Sequence, residues 1–204
     1  MANYDIKNLS GLIDKISSMP KLTDKVASNV LNRASTFAIR KSVDEIISTN
    51  NLKKNYVESK FKKVSRASPN NLRTIISAND RRTLLARYPH SKTSDGVSVS
   101  VKRGVSRVIR RGFIVTNLKG SSATGVAIPN EDFVSYLQTS NTRSKLRSAK
   151  LSRARTKLKD KPKGWTVLHG ASINQMFTNV RQDIKRPLAT FMIKEFFKEF
   201  KSKV

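Results

Sequence analysis

Serines and acids are plentiful in this sequence, but the imidazoles and thiols that most often activate them or hold a metal are scarce. Cysteine is absent, which removes thiolate chemistry and disulfides together. The two histidines are His90 and His169, and His169 precedes Ser172 by three residues in the stretch LHGASINQMF, Leu168 to Phe177. A serine with an imidazole nearby is how a hydrolytic nucleophile begins. The surrounding residues argue against one. A nucleophile elbow of the G-x-S-x-G type needs a small residue two positions after the serine, so that the strand-to-helix turn can tighten. Here that residue is Asn174, and no acid lies close in sequence to orient either histidine. The same residues fit a helix start better. Ser172 to Gln175 spells S-x-x-Q, a capping box, in which the serine hydroxyl accepts from the Gln175 amide and the glutamine reaches back to the Ser172 amide. Gly170 would give the chain freedom to turn from the strand WTVL into that helix, with His169 in the turn.

Metal binding needs clustered ligands, and two distant histidines with scattered acids do not supply them. Glu131 and Asp132 adjoin without partners in the sequence around them. They read as solvated loop acids or as the lead-in to a helix starting at Phe133. GSSATG, Gly120 to Gly125, lacks the following Lys-Ser/Thr of a phosphate loop and falls in a hairpin. RNP-type aromatic pairs, zinc-finger spacings and GXXG loops are missing too. Aromatic residues make up 7% of the chain and fall mostly at core-like helical positions, which gives little support to recognition by stacking. The expectation is a protein with no catalytic residue, no cofactor and no metal.

Charge is the larger signal. The chain has 41 Lys and Arg against 14 Asp and Glu, a formal charge of +27. Self-repulsion on that scale works against a compact, isolated monomer, so the sequence implies a polyanion or an acidic partner. Nucleic acid, a membrane surface and an acidic protein surface all satisfy the charge alone. No apolar run is long enough to span a membrane, and MANYDIKNLSGLIDKISSMP has acids where a secretory signal would have an apolar core. The positive charge concentrates in NTRSKLRSAKLSRARTKLKDKPK, residues 141–163, with ten basic residues and one acid, Asp160. They are Arg143, Lys145, Arg147, Lys150, Arg153, Arg155, Lys157, Lys159, Lys161 and Lys163. The segment reads as a mobile loop or a basic helix, and as an arm facing DNA or an acidic neighbour rather than a merely solvated excursion.

The elements that must hold these parts follow from apolar periodicity. Leu9, Leu12, Ile13 and Ile16 predict a short amphipathic helix over 5–18, ended by Pro20. Val26, Val30, Phe37, Ile39, Val43, Ile46 and Ile47 predict a long helix from about Thr23 to Ser48, stopped at Asn50-Asn51. A short helix around Lys53 to Ser59 follows. From about Phe61 the period changes to two. FKKVSRAS, LRTIISAND, TLLARY, GVSVSVKRG and GFIVTNL predict strands, GVAIP is placed to pair back, and together they suggest one antiparallel sheet of about five strands. A helix from Ser172 to about Lys185 and a second beginning at Pro187, with Leu188, Phe191, Met192, Phe196 and Phe200 as its stripe, close the chain. The expected class is α+β: N-terminal helices, a central antiparallel sheet, a basic insertion and a C-terminal helix pair. The expected division is a helical extension over 1–20, a helix-plus-sheet core over 21–140, the insertion at 141–163, and a helix pair over 164–204 completing the core.

The order of these parts resembles the minor tail protein Z family of tailed phages, the tail completion proteins of lambda-like viruses. The resemblance rests on VLNRASTFAIRKSV in the long helix, on NLKKNYVESKFKKVSRAS leading to LLARY, on GVSVSVKRG, RGFIVTNL and GVAIP, and on LHGASINQMF as the closing helix start. It covers roughly residues 22–185. Two departures stand out: GVAI replaces a G-V-F-x-R strand, and residues 141–163 expand a link that is usually short. The resemblance implies a virion protein at the neck or head-proximal end of the tail, assembled in the host cytoplasm. It implies a homo-oligomeric ring; six copies is a guess taken from the symmetry common to tail tubes. It also implies contact with the tail terminator, tail tube or connector, and no catalysis. A positive ring around packaged DNA would account for the charge. The other reading of the composition is a sequence-independent nucleic-acid-binding protein of ribosomal type.

Overall fold

The computed structural model describes residues 16–118, 122–139, 151–153, 155–156, 159 and 163–203. The fold is α+β with antiparallel sheets and a C-terminal helix pair. The chain divides into two compact units, each assembled from segments far apart in sequence. The first comprises Met1–Val43, Glu58–Ala78 and Phe177–Val204; the second comprises Asp44–Val57 and Asn79–Met176.

The first unit is built on helix α1, Pro20–Thr49, most of which it contains. Proline at the first helical position loses no bond there, because that amide has no acceptor in the helix. Val26 and Val30 of α1 are buried with Phe200 of the last helix, and Ile16, Leu22, Met192 and Phe196 pack around them. Phe37 stacks on Phe191 at 4.3 Å between ring centroids. The buried face of α1 also carries Ser28, Ser35 and Ser42. Their hydroxyls donate to backbone carbonyls of Lys25, Asn32 and Ala38, which satisfies them without any partner outside the helix. Strands β1 (Phe61–Ser65) and β2 (Ile75–Ala78) pair antiparallel in this unit. Asn32 fixes the chain beyond β1 by donating to the Ala67 carbonyl and accepting from the Ala67 amide. Phe61 meets Phe177 edge to face at 5.4 Å.

The second unit starts where α1 ends. The Asn50 side chain donates to the Ile46 carbonyl and closes the helix, at the stop that the Asn pair predicts. Helix α2 (Lys54–Glu58) buries Val57. Strand β3 (Arg82–Leu84) is followed by a 3-10 turn over Leu85–Arg87, then by β4 (His90–Thr93), β5 (Gly96–Lys102) and β6 (Val105–Arg110). Strand β7 (Phe113–Val115), β8 (Gly125–Pro129), helix α3 (Asn130–Thr139), β9 (Trp165–Val167) and β10 (His169–Ser172) complete it. Helix α4 (Ile173–Val180) leads back to the first unit, which ends with α5 (Lys185–Lys201).

Several sequence expectations change. The antiparallel pairing is present, but in four small sheets among the described residues rather than one: β1-β2, β10-β3, β4-β5-β6 and β7-β8-β9. TLLARY is a strand only to Leu84. Leu85 and Tyr88 are both buried, and the 3-10 turn between them, closed by the Tyr88 amide on the Leu85 carbonyl, sends both inward where a strand would alternate them. The helix expected over Ser172–Lys185 ends at Val180; a turn intervenes and α5 starts at Lys185, with Pro187 inside its first turn. Of the N-terminal helix, residues 16–18 are helical and the rest lie outside the described residues. No helix among the described residues is long and apolar enough to cross a membrane.

Candidate functional site

The His169–Ser172 pair resolves as a helix start. Ser172 ends β10, which pairs with β3 so that Ser172 lies opposite Arg82 and His169 opposite Leu84. The Ser172 Oγ accepts from the Gln175 amide at 3.1 Å, and Gln175 Oε1 accepts from the Ser172 amide at 3.1 Å, so both halves of the capping box form. Ser172 is only 1% exposed. His169 pairs through Nδ1 with the Val167 carbonyl. Burial lowers its pKa from the ordinary histidine value; the Val167 carbonyl pulls it back up, and Arg82 and Arg81 push it further down. Asn174, the residue that breaks the elbow pattern, has its own task. Its amide donates to the Asn79 carbonyl and its side chain to Asp80, which ties the start of α4 to the turn before β3. Gly170 sits in close packing, and its φ lies outside the left-handed region. A Cβ there would meet the buried Tyr88 hydroxyl at 3.1 Å.

Glu131 and Asp132 do have a partner, and the helix they precede in the sequence reading begins earlier, at Asn130. Arg111 reaches them from 20 residues away, with Nη2 on Glu131 Oε1 at 2.7 Å and Nη1 on Asp132 Oδ1 at 3.0 Å. The hydrogen bond to Glu131 and the two carboxylate charges raise the arginine pKa further. The acids sit in the first turn of α3, where the helix dipole favours them. Arg111 itself occupies the left-handed region at φ 55, and its amide donates to the Asp95 carbonyl. This bend carries the chain from β6 into β7.

Beside that bend is an open cleft of about 760 Å³. Lys92, Asp95, Arg110, Arg111 and Phe113 are among its walls. No acid occurs between Asp95 and Glu131 in sequence. Arg111 is engaged by its two carboxylates, whereas Lys92 and Arg110 are exposed and have no acidic partner among the described residues. Phe113 is 37% exposed, and across the central strand β8 lies Trp165, 45% exposed. Phe113 pairs with Ala127 and Trp165 with Pro129, so both rings project from the same face of the sheet. They meet edge to face at 6.4 Å. The backbone entering Trp165 is pinned: Asn130 donates to the Gly164 carbonyl, and Thr166 Oγ1 donates to Asn130 Oδ1. Gly164 has φ +141, a conformation other residues resist.

Of the ten basic residues expected to face a polyanion, Arg153, Arg155 and Lys159 are helical and exposed, and Lys163 lies exposed just before Gly164. Arg143, Lys145, Arg147, Lys150, Lys157 and Lys161 lie outside the described residues. The structure brings a different cationic set together on β5, β6 and the turn between them, where Lys102, Arg103, Arg107 and Arg110 are exposed. Sequence reasoning missed both that set and the exposed ring pair. The available signals were the acid-free run from Gly96 to Asn130 and the position of the only tryptophan directly after the basic segment. Among the described residues, no group of three or more histidines and acids could hold a metal ion. Compared with protein-family models, with curated proteins and with solved structures, the chain has no match.

Proposed function

We propose that this chain is a structural, non-catalytic virion protein of the phage tail-completion or neck region, working as a homo-oligomeric ring that flanks the DNA path at the head-proximal end of the tail. The observation that carries the reading is where the charge goes. Glu195 and Glu199 are paired internally with Arg33, and Glu131 and Asp132 with Arg111. Lys92, Lys102, Arg103, Arg107 and Arg110 are left exposed with no acid paired to them among the described residues. Charge displayed outward without compensation suits a surface that works against a polyanion. The ordered sequence motifs supply the virion context, and the Ser172 hydroxyl is committed to a helix cap, which fits a scaffold rather than a hydrolase. Tail terminator, tail tube or connector proteins are the neighbours the reading implies.

Light scattering and electron microscopy of the purified protein over a range of concentrations test it. Symmetric rings are expected, with DNA binding weak in the monomer and strengthened on assembly. Removing residues 141–163 should leave ring formation intact and weaken retention of DNA. A protein that stays monomeric at every concentration, yet binds duplex DNA or RNA tightly with a steep salt dependence, would instead be a nucleic-acid binder of ribosomal type.

A further inference from the structure

The lone tryptophan and its phenylalanine neighbour are the least expected surface feature of the second unit. Large rings on sheets normally turn inward, because burying them stabilises the fold more than any other side chain type. Phe113 and Trp165 instead keep 37% and 45% of their surface exposed, in contact with each other, while Ala127 on the same face of the β7-β8-β9 sheet is buried. The strand between them contributes small or flat residues, Ala127 and Pro129, at the positions they flank. The backbone at both rings is fixed: Phe113 follows the Arg111 bend, and Trp165 follows the Gly164 carbonyl bonded to Asn130. Phe113 also lines the cleft that contains Lys92 and Arg110.

From this juxtaposition we infer that Phe113 and Trp165 form a stacking platform for the bases of single-stranded nucleic acid, with the phosphates running along Lys92 and Arg110. Duplex DNA hides its base faces and offers only its backbone to cations. An exposed ring pair next to unpaired cations matches a strand whose bases are unstacked. Asp95 on the cleft wall repels phosphate and confines the track to the side of Lys92 and Arg110. An acidic protein surface would satisfy the cations but leave the rings without flat partners. The inference deepens the polyanion-facing reading above and rests on it for the biological setting, although the binding itself does not require a ring.

Because Trp165 is the only tryptophan, its fluorescence reports the site directly. The full chain is titrated with a short oligothymidylate, with a duplex of equal length, and with linear polyphosphate, which has the charge but no bases. Saturable quenching by the oligothymidylate alone is expected. Affinities come from the anisotropy of labelled strands. F113A and W165A should each weaken single-strand binding about tenfold or more, at unchanged duplex affinity and unchanged far-UV circular dichroism. W165F, which keeps a ring, should retain most of the affinity. K92Q with R110Q should instead reduce the slope of log affinity against log salt. Aromatic variants that bind the oligothymidylate like the parent overturn the inference. So does quenching as strong with polyphosphate as with the oligothymidylate, or loss of ring assembly in W165A with no change in nucleic-acid binding, which would mark the rings as a protein contact. Rings that form without oligothymidylate quenching sink this inference and leave the structural reading standing; quenching by a protein that never forms rings does the reverse.

Discussion

Replacing Ser172 with alanine tests the helix start most directly. The substitution removes the Oγ that accepts from the Gln175 amide. At exposed caps such changes cost about 0.5–2 kcal/mol, and water softens the loss. Ser172 is 1% exposed, so water has little room to take the place of its Oγ, although Gln175 itself is exposed and the bond is part-buried. The expected cost is therefore in the upper half of the range, about 1.5 kcal/mol, or a melting shift of about 3–6 °C for a chain of this size. The same reasoning makes a second demand. Glycine at an exposed cap costs only a few tenths of a kcal/mol, but here S172G should be about as harmful as S172A. Q175A should free the Ser172 amide and cost about 1 kcal/mol, and the double variant should cost less than the sum because both bonds serve one helix start. Urea unfolding followed by Trp165 fluorescence reports this, since Trp165 and the cap belong to the same unit. Hydrogen exchange at the Gln175 amide localises it. A cost for S172A below about 0.3 kcal/mol, or unchanged exchange at Gln175, refutes the buried-cap reasoning. Loss of a hydrolytic activity with the fold intact would refute the non-catalytic reading with it.

Other expectations concern close packing and charge. Gly96 has φ +148, and a Cβ there would lie 2.1 Å from the Ile109 carbonyl, so G96A should cost about 3 kcal/mol or more and expose the β5-β6 pairing to exchange. The Tyr88 hydroxyl is buried without a hydrogen bond of normal geometry; burial, with a smaller push from Tyr56, raises its pKa to about 12, and the nearby Thr83 hydroxyl draws it slightly the other way. Y88F should therefore be neutral or stabilising by up to about 1 kcal/mol in urea unfolding, and it should make G170A better tolerated than in the parent, because the hydroxyl is the nearest atom to the added methyl. Partial burial would raise the pKa of Glu199, but hydrogen bonds from Asn29 and Lys203 and the charges of Arg33 and Lys203 outweigh it, and the net shift is downward. Its stabilising contribution is then complete above the ordinary glutamate range and lost as pH falls through the lowered folded value. E199Q should flatten the acid limb of the stability curve in a pH series of melts and leave the region above neutrality parallel to the parent.

Much of this molecule could be read in one dimension. A helix start is local: the serine and the glutamine three residues on are close in sequence, and their bonds form wherever that stretch is placed. The long helix α1 and the strand alternation of Val97 and Val99 are local in the same sense, since a period of 3.6 or 2 is a property of neighbouring residues. The absence of thiols and the excess of positive charge are properties of composition, and no fold could alter them. The breakdowns occur where the deciding contact is remote. TLLARY has the alternation of a strand, yet the need to bury both Leu85 and Tyr88 turns it. Glu131 and Asp132 look unpartnered until the bend at Arg111 brings a guanidinium across from 20 residues upstream. Gly170 looks like a hinge until Tyr88 is seen to need its space. Trp165 counts as one more aromatic until strand register sets it beside Phe113, both partly exposed. Periodicity records which residues could be buried together. Only the pairing of distant strands decides which side of a sheet is covered, and so which rings and which cations are left facing outward.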